Sequence, residues 1–328
     1  MAKKIVFKGK QQADLEELDV SGPGKDQITV KTEISLMSAG TETIVYNRLF
    51  DEGTHWDKWV KYPFTPGYAV VGEVTAVGDE VDEFSIGDRV AARCSHASEN
   101  VVNRDRCFAL PQEMATESAV WFALAKIAFM GTRRAEYFLG DRCVIIGAGP
   151  IGQMALRWAF AAGVEKLVVV DRVASRLEHA RSGGATQTFD MPIDQCADSI
   201  KDACGGEQPD IVMDSTGNAR VFASALGLVK KFGRVVVLGD TGSPASQRLT
   251  SDVVIRGVTI VGAHDSHVDG TWSAQRIHRL FCCLSRSGRF NLDGLITHRF
   301  KPEECSKAYE FASSNQEKTM GIIFDWRQ

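Results

Sequence analysis

The sequence lacks any apolar run long enough to cross a bilayer. The longest, around Ala119 to Met130, is broken by Lys126 and falls short of the ~18–20 residues that a span requires. No membrane segment is expected. A lysine or arginine run is also missing: 38 basic residues are dispersed among 42 acidic ones for a net charge of −4, so nothing continuous faces a phosphate backbone and nucleic acid is not an expected partner. Eight cysteines occur without a single Cys-x-x-Cys pair, and they read as reduced, mostly buried thiols, neither disulfides nor a zinc knuckle. The opening MAKKIVFKGK carries charge where a secretory signal needs an apolar core, so a cytoplasmic location is expected. What is present is a globular composition, 44% hydrophobic and 24% charged, too apolar for a disordered chain. At 328 residues the chain is about twice the usual ~100–150-residue domain, and two domains are expected.

Residues 1 to about 115 read as short β segments between glycine-rich turns: QITVKTEIS, YAVVGEVTAVG and DRVAARC, a β-rich, barrel-like region. Within it the stretch Asn47 to Pro66 is dense in aromatics (Phe50, Trp56, Trp59, Tyr62, Phe64) and holds His55. It reads either as a packed lid or as a substrate wall, with His55, Trp56 and, further on, Trp121 as candidate substrate contacts. From about 116 the texture changes to helices alternating with short apolar strands (CVIIG, KLVVVD, DIVMDSTG, RVVVLGD, VTIVGA), the rhythm of a parallel sheet covered on both faces. From about 270 come an amphipathic helix (Trp272 to Ser287), the strand-like LITHRF, a helix near Pro302 to Ala312 and a last strand GIIFDW, which are expected to return to the first domain. The fold class is therefore α/β, a β-rich domain at 1–121 completed by 270–328 and a doubly wound parallel-sheet domain at 122–269.

The strand Cys143 to Ile146 runs into Gly147-Ala148-Gly149-Pro150-Ile151-Gly152, then a helix, then a second strand ending in Asp171. Gly147 permits a tight turn, Gly149 lets backbone approach a pyrophosphate, and Gly152 lets helix and strand pack closely, while the helix N-terminus offers free N–H groups to the anion. An acid 19 residues after the third glycine is placed to accept hydrogen bonds from ribose hydroxyls and to repel a 2′-phosphate. NAD is favoured over NADP, although Arg172 and Arg176 stand close enough in sequence to reach a phosphate. Further strand ends expected to border the cofactor carry Thr216, Gly239 and His264.

This order of a β-rich domain, GAGPIG, Asp171 and a C-terminal return resembles the medium-chain dehydrogenase/reductase family over essentially the whole chain. The resemblance implies a GroES-like catalytic domain beside a Rossmann domain. AGTETIVY resembles the family's Cys-Gly-Thr-Asp-x-His segment and PFTPGYAVVGEV its Pro-Gly-His-Glu-x-x-Gly segment. In that register the catalytic zinc ligands correspond to Ala39, Tyr68, Ala69 and Ala123, none of which is a good donor to Zn²⁺. The lobe of four close cysteines that binds structural zinc is likewise missing, since Cys94 and Cys107 stand thirteen residues apart. No metal is expected. The wording GTE, PGY, LDGLITHR and a terminal DW resembles one zinc-lacking branch, the bacteriochlorophyllide a dehydrogenases, whose members oxidise a hydroxyethyl group on a chlorin ring.

The resemblance implies a zinc-independent, NAD-dependent dehydrogenase of a secondary alcohol such as a sugar or polyol. Two alternatives are a hydroxyethyl-chlorin dehydrogenase and an NADPH-dependent reductase of activated C=C bonds. A nucleotide-binding protein without chemistry stays open, because a fold does not dictate a function. Without a metal, a positioned acid/base must handle the hydroxyl proton. Tyr68 takes the place of a zinc ligand, Lys126 follows the vanished acidic ligand by three residues, and Thr41 stands where the family has a relay hydroxyl. The expectation is Tyr68 as acid/base with its pKa lowered by Lys126, Thr41 as orienter, and Glu42 as the competing base. Each also admits a plain structural reading: Tyr68 filling the zinc void, Lys126 snorkelling from an apolar helix, Glu42 anchoring backbone. A homodimer or homotetramer acting on a small-molecule substrate is the implied assembly.

Overall fold

The structure, a computed structural model, describes residues 1–268 and 270–327. It divides into two compact units, one formed by Met1–Ala123 with Asp293–Gln328 and the other by Leu124–Leu292. Asp269, where the sequence places the end of the nucleotide domain, lies outside the described residues.

The second unit is built on six parallel strands whose spatial order is Gln187–Asp190, Lys166–Asp171, Arg142–Ile146, Ile211–Asp214, Arg234–Val237, Thr259–Gly262. Numbered along the chain this is 3-2-1-4-5-6, the doubly wound order, whose reversal point lies between the first and fourth strands. Helices cover both faces, so the inner strands are apolar nearly throughout. Lys166–Asp171 (KLVVVD) buries all four of its central residues, and Ile211–Asp214 buries every one. The helix Pro150–Ala162 starts on a proline at its first turn and stops at Gly163, whose φ of +85° a side chain would strain.

The chain re-enters the first unit at Asp293, later than the 270 read from sequence. The reason is aromatic packing. The helix Ala274–Arg286 turns Ile277, Phe281, Cys282 and Leu284 inward, Phe281 meets Phe290 edge-on at 5.4 Å, and Phe290 meets Trp158 at 4.8 Å. Trp272 packs on Phe129 at 4.8 Å. These contacts hold the helix against the parallel-sheet unit.

The first unit has a largely antiparallel seven-stranded sheet centred on Gln27–Met37, which pairs with Val70–Val77, Glu99–Asn103 and Gly321–Asp325. A separate hairpin, Ala2–Gly9 with Gln12–Leu18, lies outside that sheet. Its core joins Ile5, Phe7, Met37, Val45, Trp56, Tyr309 and Phe324. The aromatic stretch after Asn47 is partly ordered as a short helix, His55–Trp59, capped by Thr54. Among the described residues, no helix is long and apolar enough to cross a membrane.

Candidate active site

At the carboxyl end of Arg142–Ile146 the glycine loop makes two backbone demands. Gly147 has φ +89°, and a Cβ there would stand 2.7 Å from Thr216 Cγ2. A Cβ on Gly152 would lie 1.9 Å from the Gly147 carbonyl oxygen, an overlap no rotamer relieves. Gly149 caps the helix Pro150–Ala162, leaving its first N–H groups without helical partners. Neighbouring strand ends close over the loop: Ser215 Oγ donates to Gly147 O at 2.9 Å, and a Cβ on Gly239 would come within 2.4 Å of Gly217 N.

Asp171 ends the adjacent strand with its carboxylate on backbone: Ala148 N donates to Oδ2 at 2.6 Å and Val173 N to Oδ1 at 2.9 Å. Arg176 Nη1 stands 3.9 Å from Oδ2, and the same nitrogen would be 3.7 Å from a Cβ on Gly149. Arg172 is exposed. Thr216 is held by Asp214, whose Oδ1 accepts from both its N–H (2.8 Å) and its hydroxyl (2.7 Å). Burial raises the Asp214 carboxyl above the usual carboxylate range. His264 is exposed on the loop after Thr259–Gly262, its Nδ1 2.7 Å from Ser266 Oγ.

Three of the four expected catalytic residues, Thr41, Glu42 and Tyr68, gather around the start of the helix Ala39–Asn47. Strand pairing brings Ser35 opposite Val70, and Leu36 N donates to Ala69 O at 2.9 Å, so Tyr68 and Ser38 come side by side. Ser38 would ordinarily cap the helix with its hydroxyl. Here that hydroxyl accepts from Tyr68 OH, and Glu42 supplies the helix start instead: its Oε1 accepts from Ser38 N at 2.8 Å. The Arg93 guanidinium carbon lies 5.1 Å from the ring centroid, and Thr41 is near enough to bear on the ionisation of the phenol. Burial pushes the Tyr68 phenol above its ordinary value, outweighing the pull of Ser38, Thr41 and Arg93 in the other direction.

Glu42 takes the structural one of its two expected readings, and Lys126 pairs away from the phenol. Glu42 is 2% exposed and saturated: besides Ser38 N it accepts from Tyr309 OH (2.5 Å) and lies 3.0 Å from His96 Nε2. It is a backbone anchor with no lone pair turned to solvent. His96 Nδ1 in turn is 2.7 Å from Ser35 Oγ, which accepts from Trp326 Nε1, so the carboxylate ends a buried chain that reaches the last strand. Lys126, on the helix Phe122–Ala135, gives its ammonium to Asp265, 2.7 Å to Oδ1 and 2.8 Å to the carbonyl. Its charge is answered there, and the depressed phenol pKa expected of it is replaced by a raised one.

Of the candidate substrate contacts, His55 is exposed, while Trp56 is 4% exposed in the core and stacks with Phe50. Trp121 is fully buried, its Cζ2 within 2.7 Å of where a Cβ on Gly321 would be, so it shapes the interior and presents no surface. The residues missed from sequence are Ser38 and Arg93. Ser38 had a signal, a serine four before a glutamate at a helix start; Arg93 had none. Ala69 and Ala123 are fully buried and Ala39 is partly so, and none has a donor atom for a metal. Among the described residues no three His, Cys, Asp or Glu side chains assemble as a metal-holding group.

Comparison with known proteins matches residues 24–148 to the alcohol dehydrogenase GroES-like domain and residues 150–279 to the zinc-binding dehydrogenase family. The chain is similar to the L-threonine 3-dehydrogenase of Bacillus licheniformis, 25% identical with 94% of each chain covered. Among solved structures, benzyl alcohol dehydrogenase from Acinetobacter calcoaceticus superposes with a TM-score of 0.85 at 20% identity over 99% of each chain. Galactitol-1-phosphate dehydrogenase from Escherichia coli gives 0.83 at 21% identity, covering 98% of this chain and 99% of that one.

Proposed function

The chain belongs to the medium-chain dehydrogenase/reductase superfamily of oxidoreductases, and from that premise we propose that it is an NAD-dependent dehydrogenase moving hydride between a secondary alcohol, such as a sugar or polyol, and nicotinamide without a catalytic zinc. The observation that carries the cofactor reading is the cradle at Gly147 and Gly152, where a Cβ would collide at 1.9 Å with a loop carbonyl. Bareness at Gly152 lets the helix pack this close to the strand end, which brings the backbone of Gly149 and the helix N-terminus, where anions are stabilised, to the carboxyl edge of the sheet. The residues that would hold the dinucleotide are the 147–152 loop for the pyrophosphate, Asp171 for the adenosine ribose, and the loops at Thr216, Gly239 and His264. A carboxylate at 171 favours NAD, since a 2′-phosphate would add like charge beside it; Arg176 is the nearest compensating cation. When bound, nicotinamide supplies the hydride acceptor.

Zinc does not fit. Alanine methyls at 39, 69 and 123 donate nothing, and a neutral phenol is a poor ligand, so the proton must be handled by side chains. Tyr68 OH gives its proton to the carbonyl oxygen in reduction, and the phenolate takes the hydroxyl proton in oxidation. Ser38 fixes the phenol by a hydrogen bond, Thr41 stands beside it to orient the proton, and Arg93 together with the helix N-terminus offsets the phenolate charge. Glu42 holds the Ser38 backbone and so keeps the phenol's partner in place. A homodimer or homotetramer is part of the reading. Its support is the outermost strand Thr259–Gly262, which has a sheet neighbour on one side and lies near the exposed side chains Phe232, Val254 and Ile255.

The test is turnover by the purified protein with NAD or NADP, followed by nicotinamide absorbance, over secondary alcohols, polyols and a hydroxyethyl chlorin, with and without chelator. NAD-linked alcohol oxidation that ignores the chelator supports the reading. Activity abolished by chelation and restored by zinc would overturn its metal-free part. NADPH-linked reduction of enones with no alcohol turnover would replace it by the C=C reductase.

A further inference from the structure

Arg157 lies in the middle of the helix Pro150–Ala162 with none of its surface exposed. A buried guanidinium is costly unless its donors are met, and ordinarily a carboxylate meets it. Here the partners are all neutral oxygens. Nη1 donates to Gln153 Oε1 at 2.7 Å and to Gln153 O at 3.0 Å, Nη2 to His179 O at 3.3 Å, and Nε to Asn291 O. Burial lowers its pKa to about 10, which leaves it cationic at neutral pH. Space for the fork is kept by Gly183, where a Cβ would meet Nη1 at 2.6 Å.

Gln153 is equally buried and carries the contact onward. Its Nε2 donates at 2.9 Å to Ala148 O, inside the glycine loop, and at 2.9 Å to Arg176 O, on the helix that follows Asp171. Ala148 is therefore held from both sides, its N–H by Asp171 and its carbonyl by Gln153. In a planar trans peptide, C=O and the next N–H point in opposite directions. With the Ala148 carbonyl turned to Gln153, the Gly149 N–H is turned the other way, out of the helix end. The amide orientation of Gln153 is fixed by the same logic, because Arg157 has only donors and must face the side-chain oxygen.

We propose that Gln153 and Arg157 are positioning residues for the dinucleotide: Gln153 sets the Ala148–Gly149 peptide so that its N–H faces the pyrophosphate, and Arg157 locks Gln153 in that orientation. This rests on reading the 147–152 loop as the dinucleotide site. A residue buried behind the loop thereby controls affinity for a ligand it never touches.

Gln153→Glu separates this role from plain stability. It keeps the length and the acceptor facing Arg157, now as an ion pair, but replaces the two N–H bonds to Ala148 O and Arg176 O by oxygen against oxygen. In full-length protein at mildly alkaline pH, the NADH Kd from fluorescence titration is expected to rise about tenfold, the worth of a lost buried hydrogen bond. Melting temperature should fall by a few degrees, the new ion pair with Arg157 offsetting only part of the two lost hydrogen bonds, while kcat at saturating cofactor and the KM for alcohol should hold, and the kinetic loss should fall on the cofactor KM alone. Arg157→Met should weaken NADH several-fold, with Arg157→Lys in between. Should Gln153→Glu fail to fold, Gln153→Met gives the same readout. NADH binding within twofold of wild type in both the 153 and 157 variants overturns the proposal while leaving the dinucleotide site intact. Wild-type protein that binds neither NADH nor NADPH overturns the site reading, and this proposal with it.

Discussion

The glycine loop and the Tyr68 pocket are built from opposite materials. At the loop, what matters is the absence of side chains: Gly147, Gly152, Gly217 and Gly239 each stand where a Cβ would come within 2.7 Å of another atom. At the pocket, what matters is side chains from distant segments, with Ser38, Tyr68, Arg93, His96 and Tyr309 converging on one helix start. A site made of backbone is specified by local spacing and tolerates little change. One made of side chains is specified by tertiary pairing, and its members can be exchanged while the scaffold stays. On the zinc-free reading proposed above, that difference is what would let side chains at 39, 68, 69 and 123 change while the nucleotide loop keeps its glycines.

The sharpest way to break the contrast is at Gly152. Gly152→Ala puts a methyl 1.9 Å from Gly147 O, so either loop or helix must move. We expect NADH affinity to fall on the order of a hundredfold, with a destabilisation of about 1–3 kcal/mol. Gly40→Ala, beside Thr41 in the other region, meets nothing within 4 Å and should leave the melting temperature level or slightly raised, alanine being the better helix former. Calorimetry and fluorescence titration of the two variants test both halves of the statement together; equal tolerance at 40 and 152 would dissolve it.

The next largest effect belongs to the pocket. Tyr68→Phe should lower kcat by about 10²–10⁴, the usual worth of a positioned acid/base, with NADH affinity unchanged. The raised phenol sets the sign of the pH dependence. Below its pKa the phenolate fraction climbs about tenfold per pH unit, so oxidation should climb with it, while reduction, which uses the phenol, stays level until that pKa and then falls. The variant should lose the oxidative slope. A slope that survives in Tyr68→Phe would move the proton to another group.

What was legible in the sequence follows the same division. Five of the six parallel strands were readable because burial on both faces writes apolar runs such as KLVVVD, and the glycine loop because turn chemistry is local; the edge strand Gln187–Asp190 (QTFD), exposed at both ends, carries no such run. The helix Ala39–Asn47 was not readable either, since Gly40, Thr41 and Thr43 are poor helix formers and two of its four buried residues, Glu42 and Thr43, are polar. Nor was the hairpin Ala2–Gly9 with Gln12–Leu18, whose charged residues obscure the alternation. Tyr68 could be placed by register, but its partners could not: Ser38 and Arg93 lie 30 and 25 positions away in sequence, and only strand pairing joins them. The late return at Asp293 was hidden for a related reason, since nothing local says that Phe281 and Phe290 will pack on Trp158.

Within the loop region, Asp171 separates charge from shape. Asp171→Asn keeps an acceptor for one of the two N–H groups at Ala148 and Val173 and removes the charge that opposes a 2′-phosphate. The NADH-to-NADPH preference should shrink by about tenfold, ~1.4 kcal/mol, through tighter NADPH and weaker NADH. A ratio that does not move would place the discrimination with Arg176 and not with the carboxylate.

The smallest effect is expected where sequence and structure part most clearly, at Lys126. If its ammonium tuned the Tyr68 phenol, Lys126→Met would raise the kinetic pKa and cost activity on the scale of a catalytic residue. Its hydrogen bonds to Asp265 Oδ1 and O suggest a tether of the 263–268 loop to the helix instead. With 13% and 25% of the two side chains exposed, the pair is partly screened and contributes about 1 kcal/mol. Lys126→Met should therefore lower the melting temperature by about 2–4 °C, change kcat by less than about threefold, and leave the pH profile in place. Asp265→Asn should reproduce the melting shift, because the tether loses its charge from either end. A displaced pH profile in Lys126→Met with an unshifted one in Asp265→Asn would return the lysine to the chemistry of the phenol.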